Sequence, residues 1–288
     1  MSIVEHALEK NRSNQKAGRV APTRVASEDV DRLNNSGIID PAVRIRPLRL
    51  EIDKPGCRER RVILHDATDT DAAAVAAYRI LRTRLLHRIR AKQWTSIAVT
   101  SADQNDGKTL TAVNLAISMA REKNREIVLL DLDMRNPSVC RTLGIDPAVE
   151  LRQYLETGQG GSDVFMSIGI DNLLIAGSVT PITHASELLA STRFDEMLAF
   201  IRRGTVDPLI LIDLPPVLVT DDALVIAPKI DAFLVVTSEG TTIRADFIKA
   251  MGMLQEFPIA GIALNRALEA TQGYDYAYSG SSEGARSS

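Results

Sequence analysis

The chain has 288 residues, 45% hydrophobic and 25% charged, with a formal net charge of −3. That balance is ordinary for a soluble globular protein and argues against a nucleic-acid binder or a supercharged surface. The two cysteines, Cys57 and Cys140, give neither a metal spacing nor a disulfide framework, and no apolar run approaches the ~20 residues that span a bilayer.

Residues 1–70 mix charges of both signs with Asn, Ser and Pro, and no periodicity lasts. They read as a largely disordered N-terminal arm with one docking segment. The opening MSIVEHALEKNRSNQK carries charges throughout and has no apolar signal-peptide core, which predicts a cytoplasmic chain. A domain spanning 71–270 follows. It begins with a helix over Asp71–Gln93, with an apolar stripe of Ile80, Leu81, Leu85, Leu86 and Ile89 and a basic remainder that includes Arg79 and Arg82.

Short continuous apolar runs then recur at 96–101, 126–133, 172–178, 209–216, 232–238 and 259–265, mostly separated by helical patterns. Continuous rather than alternating runs mean burial on both faces. With helices between, the expectation is an α/β, doubly wound, mainly parallel sheet whose strand carboxyl ends share one edge, where ligands bind. The tail 271–288 is rich in Gly and Ser and reads as flexible, yet it holds Tyr274, Tyr276 and Tyr278, three of the five tyrosines in the chain.

The stretch SADQNDGKTL (Ser101–Leu110) carries a strand into a helix, the setting a P-loop requires. From Ala102 to Gly107-Lys108-Thr109 the spacing is that of GxxxxGK[ST], with Ala for the first Gly. Gly107 lets the backbone approach phosphates, and the amides from Asp106 to Leu110 cradle an anion at the helix N-terminus. Lys108 reaches the β- and γ-phosphates, and the Thr109 hydroxyl suits Mg²⁺. Inside the loop, Asn105 tolerates a left-handed backbone, and the Asp106 carboxylate must point outward, away from phosphate. Two further strands end in carboxylates, Asp131 and Asp133 in VLLDLDMRNP and Asp213 in LILIDLPP. Hard oxygen donors at the carboxyl edge beside a P-loop are what ATP-bound Mg²⁺ needs.

Taken together, Gly107-Lys108-Thr109, NLA (114–116), LLDLDMRNP (129–137), SELLAS (186–191), LIDLPPVLVTDDA (211–223) and the tyrosine tail resemble the bacterial tyrosine kinases of polysaccharide synthesis. Those P-loop NTPases are related to the septum-site and partition ATPases. The resemblance implies that Lys108, Asp131 and Asp133 are catalytic, one carboxylate helping to deprotonate an incoming tyrosine. It implies Mg²⁺ on Thr109, Asp133 and Asp213, and Asn265 near the adenine. Tyr274, Tyr276 and Tyr278 become an autophosphorylation cluster passed to a neighbouring subunit. Arg79 and Arg82 match the subunit-contact helix of a homo-oligomeric ring, whose Glu position is Ala76 here, so one half of that salt bridge is missing. The implied partner is the cytoplasmic segment of a membrane chain-length regulator (a polysaccharide co-polymerase), which places the protein at the inner membrane through that partner. Two other readings stay open. One is a partition- or septum-type ATPase, whose signature Lys position is Asp103 here. The other is a pseudokinase, motivated by Gln104-Asn105-Asp106 where the family has Pro-Gly-Glu.

Overall fold

A computed structural model describes residues 44–64, 72–122 and 124–267. Most of the expected N-terminal arm and the whole tyrosine tail lie outside the described residues. Eight strands form one sheet: β1 (Leu48–Arg49), β2 (Ser96–Ser101), β3 (Ile127–Asp131), β4 (Met166–Ser167), β5 (Leu173–Ala176), β6 (Leu209–Asp213), β7 (Ala232–Ser238) and β8 (Ile259–Asn265). Their spatial order is β1-β4-β5-β3-β6-β2-β7-β8. Every neighbouring pair is parallel except β4 with β5, which is antiparallel. The sheet is thus doubly wound and mainly parallel, as expected. The chain leaves β2, passes over β6 to reach β3, and later returns from β6 across β2 to β7, so the crevice beside β2 lies where the winding reverses.

Alternation along each strand feeds two cores. Ala98, Val128, Leu130, Ile210, Ile212, Phe233 and Val235 face one layer. Ile97, Val99, Ile127, Leu129, Leu209, Leu211, Leu234 and Val236 face the other. This is the physical origin of the unbroken apolar runs: with helices on both sides, no strand face is left to water. The helices are α1 (Lys54–Glu59), α2 (Ala72–Lys92), α3 (Lys108–Met119), α4 (Val139–Leu143), α5 (Leu151–Thr157), α6 (Ala185–Ala190), α7 (Thr192–Gly204), α8 (Asp222–Ile226) and α9 (Arg244–Met253). No helix among the described residues is long and apolar enough to cross a membrane.

The structure moves several expected boundaries. The strands at 126–133, 172–178 and 209–216 are shorter than their apolar runs, because the chain turns away once it passes the sheet edge. α6 and α7 are separated by a break at Ser191, whose backbone is extended (φ −70, ψ 155) and whose hydroxyl donates to the Leu188 carbonyl at 2.6 Å. Lys229 fastens that break, with Nζ 3.0 Å from the Leu189 carbonyl and 2.8 Å from an Asp195 carboxylate oxygen.

Residues 44–64, assigned from sequence to the arm, pack on the domain. β1 adds to β4, and Cys57, Val62 and Leu64 are buried. Full burial of an aliphatic side chain contributes about 1.5–3 kcal/mol, so Ile45, Val62 and Leu64, with Leu50 and Ile52 packed against the core, are enough to dock the segment. At the opposite edge, Arg88 of α2 donates from Nη1 to the Ala260 carbonyl of β8 at 2.5 Å.

Candidate functional site

β2 delivers the chain into the loop 102–107, and α3 begins at Lys108. Asn105 (φ 67) and Gly107 (φ 88) both take the left-handed backbone region, so Asn serves at 105 as its conformational tolerance predicts. A Cβ at 107 would lie 2.1 Å from Asn265 Nδ2, because that amide donates to the Asp106 carbonyl at 2.9 Å. Asn265, expected near the adenine, therefore also braces the loop from the end of β8. The first-turn amides of Lys108, Thr109 and Leu110 have no acceptor inside the helix, which leaves them for an anion.

Asp106 corrects one expectation. Its side chain is not turned out to solvent but buried. Oδ1 accepts the Thr242 hydroxyl at 2.5 Å and Oδ2 the Asp103 amide at 3.3 Å. Thr242 Oγ1 in turn accepts the Ser238 amide at 2.7 Å. The carboxylate avoids the phosphate position by bonding back into the loop after β7. Nothing local in the sequence marks Thr242 for this part.

Lys108, Thr109, Asp131, Asp133 and Asp213 converge. Lys108 Nζ lies 2.6 Å from Asp133 Oδ2 and 4.0 Å from Asp213 Oδ1. The Thr109 hydroxyl donates to Asp213 Oδ2 at 2.6 Å. Having spent its one proton there, it accepts from the Ser138 hydroxyl at 2.9 Å. Asp131 and Asp213 end adjacent parallel strands in direct register. Asp131 Oδ2 accepts the amides of Ser138 and Val139, both at 2.9 Å, and so caps α4. Asp133 lies past the end of β3, where its Oδ1 accepts the Asn136 amide at 3.2 Å.

Three carboxylates against one ammonium leave the cluster rich in negative charge. Burial, then the Asp213 charge, pushes Asp131 well above the usual carboxylate range. Burial raises Asp213 to about 6, against the pull of Lys108 and the Thr109 hydroxyl. Burial pulls Lys108 down, but Asp213 and Asp133 together outweigh it, so the ammonium is held above its ordinary value. Asp131 Oδ1 and Asp213 Oδ1 are buried without a hydrogen-bond partner. Such orphaned hard oxygens suit a divalent cation. Among the described residues no group of three or more His, Cys, Asp or Glu could hold a metal by itself. Mg²⁺ takes one or two carboxylates, keeps several waters and draws its remaining ligands from substrate phosphates.

Arg135, two residues past Asp133, was not singled out from sequence. It donates to Asp222 Oδ2 at 3.3 Å, the Thr183 carbonyl at 2.7 Å and Ser186 Oγ at 3.2 Å. It thereby ties the loop carrying Asp133 to the start of α6 and to α8. Of the two arginines read as a subunit contact, Arg79 is exposed, whereas Arg82 donates to the Ser118 carbonyl at 2.8 Å within its own chain. Tyr274, Tyr276 and Tyr278 lie outside the described residues.

Comparison with known proteins places the chain among P-loop NTPases. The ParA family model, described as NUBPL iron-transfer P-loop NTPase, matches residues 93–274, more than half of the chain. The tyrosine-protein kinase CpsD of Streptococcus pneumoniae serotype 4 is 33% identical over 178 residues, covering 59% of this chain and 75% of the relative. The tyrosine-protein kinase CpsD of Streptococcus agalactiae is 27% identical over 203 residues, 69% of this chain and 86% of the relative. Among solved structures, the VpsO kinase domain superposes with a TM-score of 0.61 at 27% identity, covering 69% of this chain and 98% of that one.

Proposed function

This chain belongs to the bacterial tyrosine-protein kinases and to the ParA group of P-loop NTPases, and from that premise we propose that it transfers the γ-phosphoryl of ATP to tyrosines of its own C-terminal tail, presented by a neighbouring copy. The observation that carries the proposal is the meeting of Lys108 and Thr109 with Asp133 and Asp213 at the sheet's carboxyl edge.

In this proposal the first-turn amides of α3 and Lys108 bind the phosphate chain. Thr109 and Asp213 would hold Mg²⁺, which screens charge on the transferred group when it is bound. Lys108 leaves Asp133 for the phosphates, and that frees the carboxylate. The tyrosine oxygen bonds to the γ-phosphorus as the bond to the β–γ bridging oxygen breaks, ADP departs, and the phenolic proton passes to Asp133. A tyrosine hydroxyl has a pKa near 10, so a carboxylate at the attacking oxygen assists as the proton leaves. Asp131 is held by two backbone amides on Oδ2, which shapes the loop, and its free Oδ1 would face the Mg²⁺ beside Asp213.

The left-handed Asn105 supports a working loop despite the Gln-Asn-Asp sequence. The iron-transfer role in the family's description does not extend to this chain, because its only two cysteines are buried and Cys140 is pushed up to about 12, chiefly by burial. The biological setting we propose is control of capsular or exopolysaccharide synthesis. The protein would lie in the cytoplasm and be recruited to the inner membrane by the cytoplasmic segment of a chain-length regulator. Incubation with ATP and Mg²⁺, followed by mass spectrometry, tests the activity. Phosphate is expected on Tyr274, Tyr276 and Tyr278, and none in Lys108→Ala. An unmodified tail, even with the regulator's cytoplasmic segment present, would refute the kinase assignment.

A further inference from the structure

Behind the nucleotide loop, the segment 44–64 runs from the β4 edge of the sheet to the P-loop helix. Its attachments are specific. Leu48 and Leu50 donate their amides to the carbonyls of Phe165 and Ser167 at 2.9 and 2.8 Å. Cys57 Sγ donates to the Leu143 carbonyl at 3.3 Å, and Arg60 Nε to the Thr142 carbonyl at 2.9 Å, so both seize the C-terminal end of α4. The segment then reaches α3. There Asn114, buried, accepts the Ile63 amide on Oδ1 at 2.8 Å and donates from Nδ2 to the Arg61 carbonyl at 3.1 Å. One side-chain amide thus satisfies two backbone groups of a chain segment more than fifty residues away, much as a neighbouring strand would. Tyr78 of α2 closes the arrangement. It packs against the same core layer, and burial raises its hydroxyl above the ordinary value.

Both helices gripped in this way begin at or beside site residues. α3 begins with Lys108 and Thr109. α4 begins next to Ser138, which bonds the Thr109 hydroxyl and whose amide caps onto Asp131. We propose that the strap 44–64 is a positioning clamp for the nucleotide site, with Asn114 as its principal positioning residue, so that release of the strap weakens binding of ATP with Mg²⁺. The regulatory part of this inference rests on the kinase reading; the binding part does not. The strap joins the N-terminal arm at one end and leads toward the basic helix α2 at the other. A partner that engages either flank has a mechanical route to the phosphates.

The test uses the full-length chain and a fluorescent ADP analogue with Mg²⁺. Asn114→Ala removes both clamp bonds, and Ile63→Pro removes only the Ile63 donor. Each is expected to weaken nucleotide binding roughly three- to thirtyfold, the range of coupling carried through a packed network. Each should also raise KM for ATP more than it lowers kcat. The double variant should bind no more weakly than the worse single variant, because the two substitutions break one connection. Leu254→Ala, buried in the core layer on the other face of the sheet and away from the strap, serves as control, lowering Tm while leaving nucleotide affinity unchanged. The clamp is overturned if Asn114→Ala and Ile63→Pro shift Tm alone, if their effects on affinity simply add, or if the wild type binds no nucleotide. A wild type that binds nucleotide but phosphorylates nothing would sink the kinase assignment while leaving the clamp testable by the affinity measurements themselves.

Discussion

Substituting Gly107 by Ala probes the nucleotide loop at the point where two constraints meet. The backbone there sits at φ 88, which costs a residue with a Cβ about 1–2 kcal/mol. The new methyl would also lie 2.1 Å from Asn265 Nδ2. That amide must rotate away and give up its 2.9 Å bond to the Asp106 carbonyl, a further loss of about 0.5–1.5 kcal/mol. The sum, about 1.5–3.5 kcal/mol, corresponds to a fall in Tm of about 3–14 °C for a domain of this size. Urea denaturation of Gly107→Ala, alone and with Asn265→Ala, separates the two contributions. In the Asn265→Ala background only the backbone cost should remain, about 1–2 kcal/mol. Nucleotide affinity should fall in both backgrounds, because the loop amides can no longer hold their places. Equal stability of Gly107→Ala and wild type would refute the reasoning. A full cost that persists without the Asn265 side chain would refute the steric half of it.

Two other substitutions test the electrostatics. Asp213 is raised in the folded protein from 3.8 to about 6, so its contribution is fully present below the lower value and lost as pH rises through the upper one. Without nucleotide and Mg²⁺, stability should therefore fall by on the order of 2–3 kcal/mol across that interval. Asp213→Asn should flatten the slope in urea titrations at several pH values while abolishing phosphoryl transfer. Arg135→Ala leaves the fully buried Asp222 carboxylate unpaired. The arginine itself is one-third exposed, so a loss of about 2 kcal/mol is expected, below the usual cost of breaking a wholly buried pair. The loss should shrink as pH falls, because Asp222, already raised chiefly by burial, takes up a proton more readily once its cationic partner is gone.

The parts of the site that were legible in the sequence are those governed by local chemistry. Continuous apolar runs announced strands covered on both faces. The Gly-Lys-Thr junction and the strand-ending aspartates announced where an anion and a divalent cation would meet. What the sequence did not disclose depends on contacts between distant residues. Asp106 was expected to face solvent because the only alternative in view was phosphate; the hydroxyl that receives it belongs to Thr242, brought in by the pairing of β7 beside β2. Arg135 looked like one more basic residue, since neither of its side-chain partners, Ser186 and Asp222, is adjacent in the chain. The strap was read as arm because its anchors are few and irregularly spaced. Cys57, Val62 and Leu64 carry no period, and the amide pair that Asn114 completes is formed by backbone groups that any sequence would have.

The short contact between Lys108 and Asp133 has a bearing on selectivity. With its ammonium paired to Asp133 at 2.6 Å, Lys108 does not present a bare cation to every passing anion. A lone inorganic phosphate or sulfate must break a buried ion pair for the sake of one new contact, an exchange with little net gain. A nucleotide's phosphate chain engages the whole row of loop amides at once and arrives with a divalent ion that can face the carboxylates left behind. An ion pair at this position would therefore favour a polyphosphate carrying a divalent ion over the small anions abundant in cells.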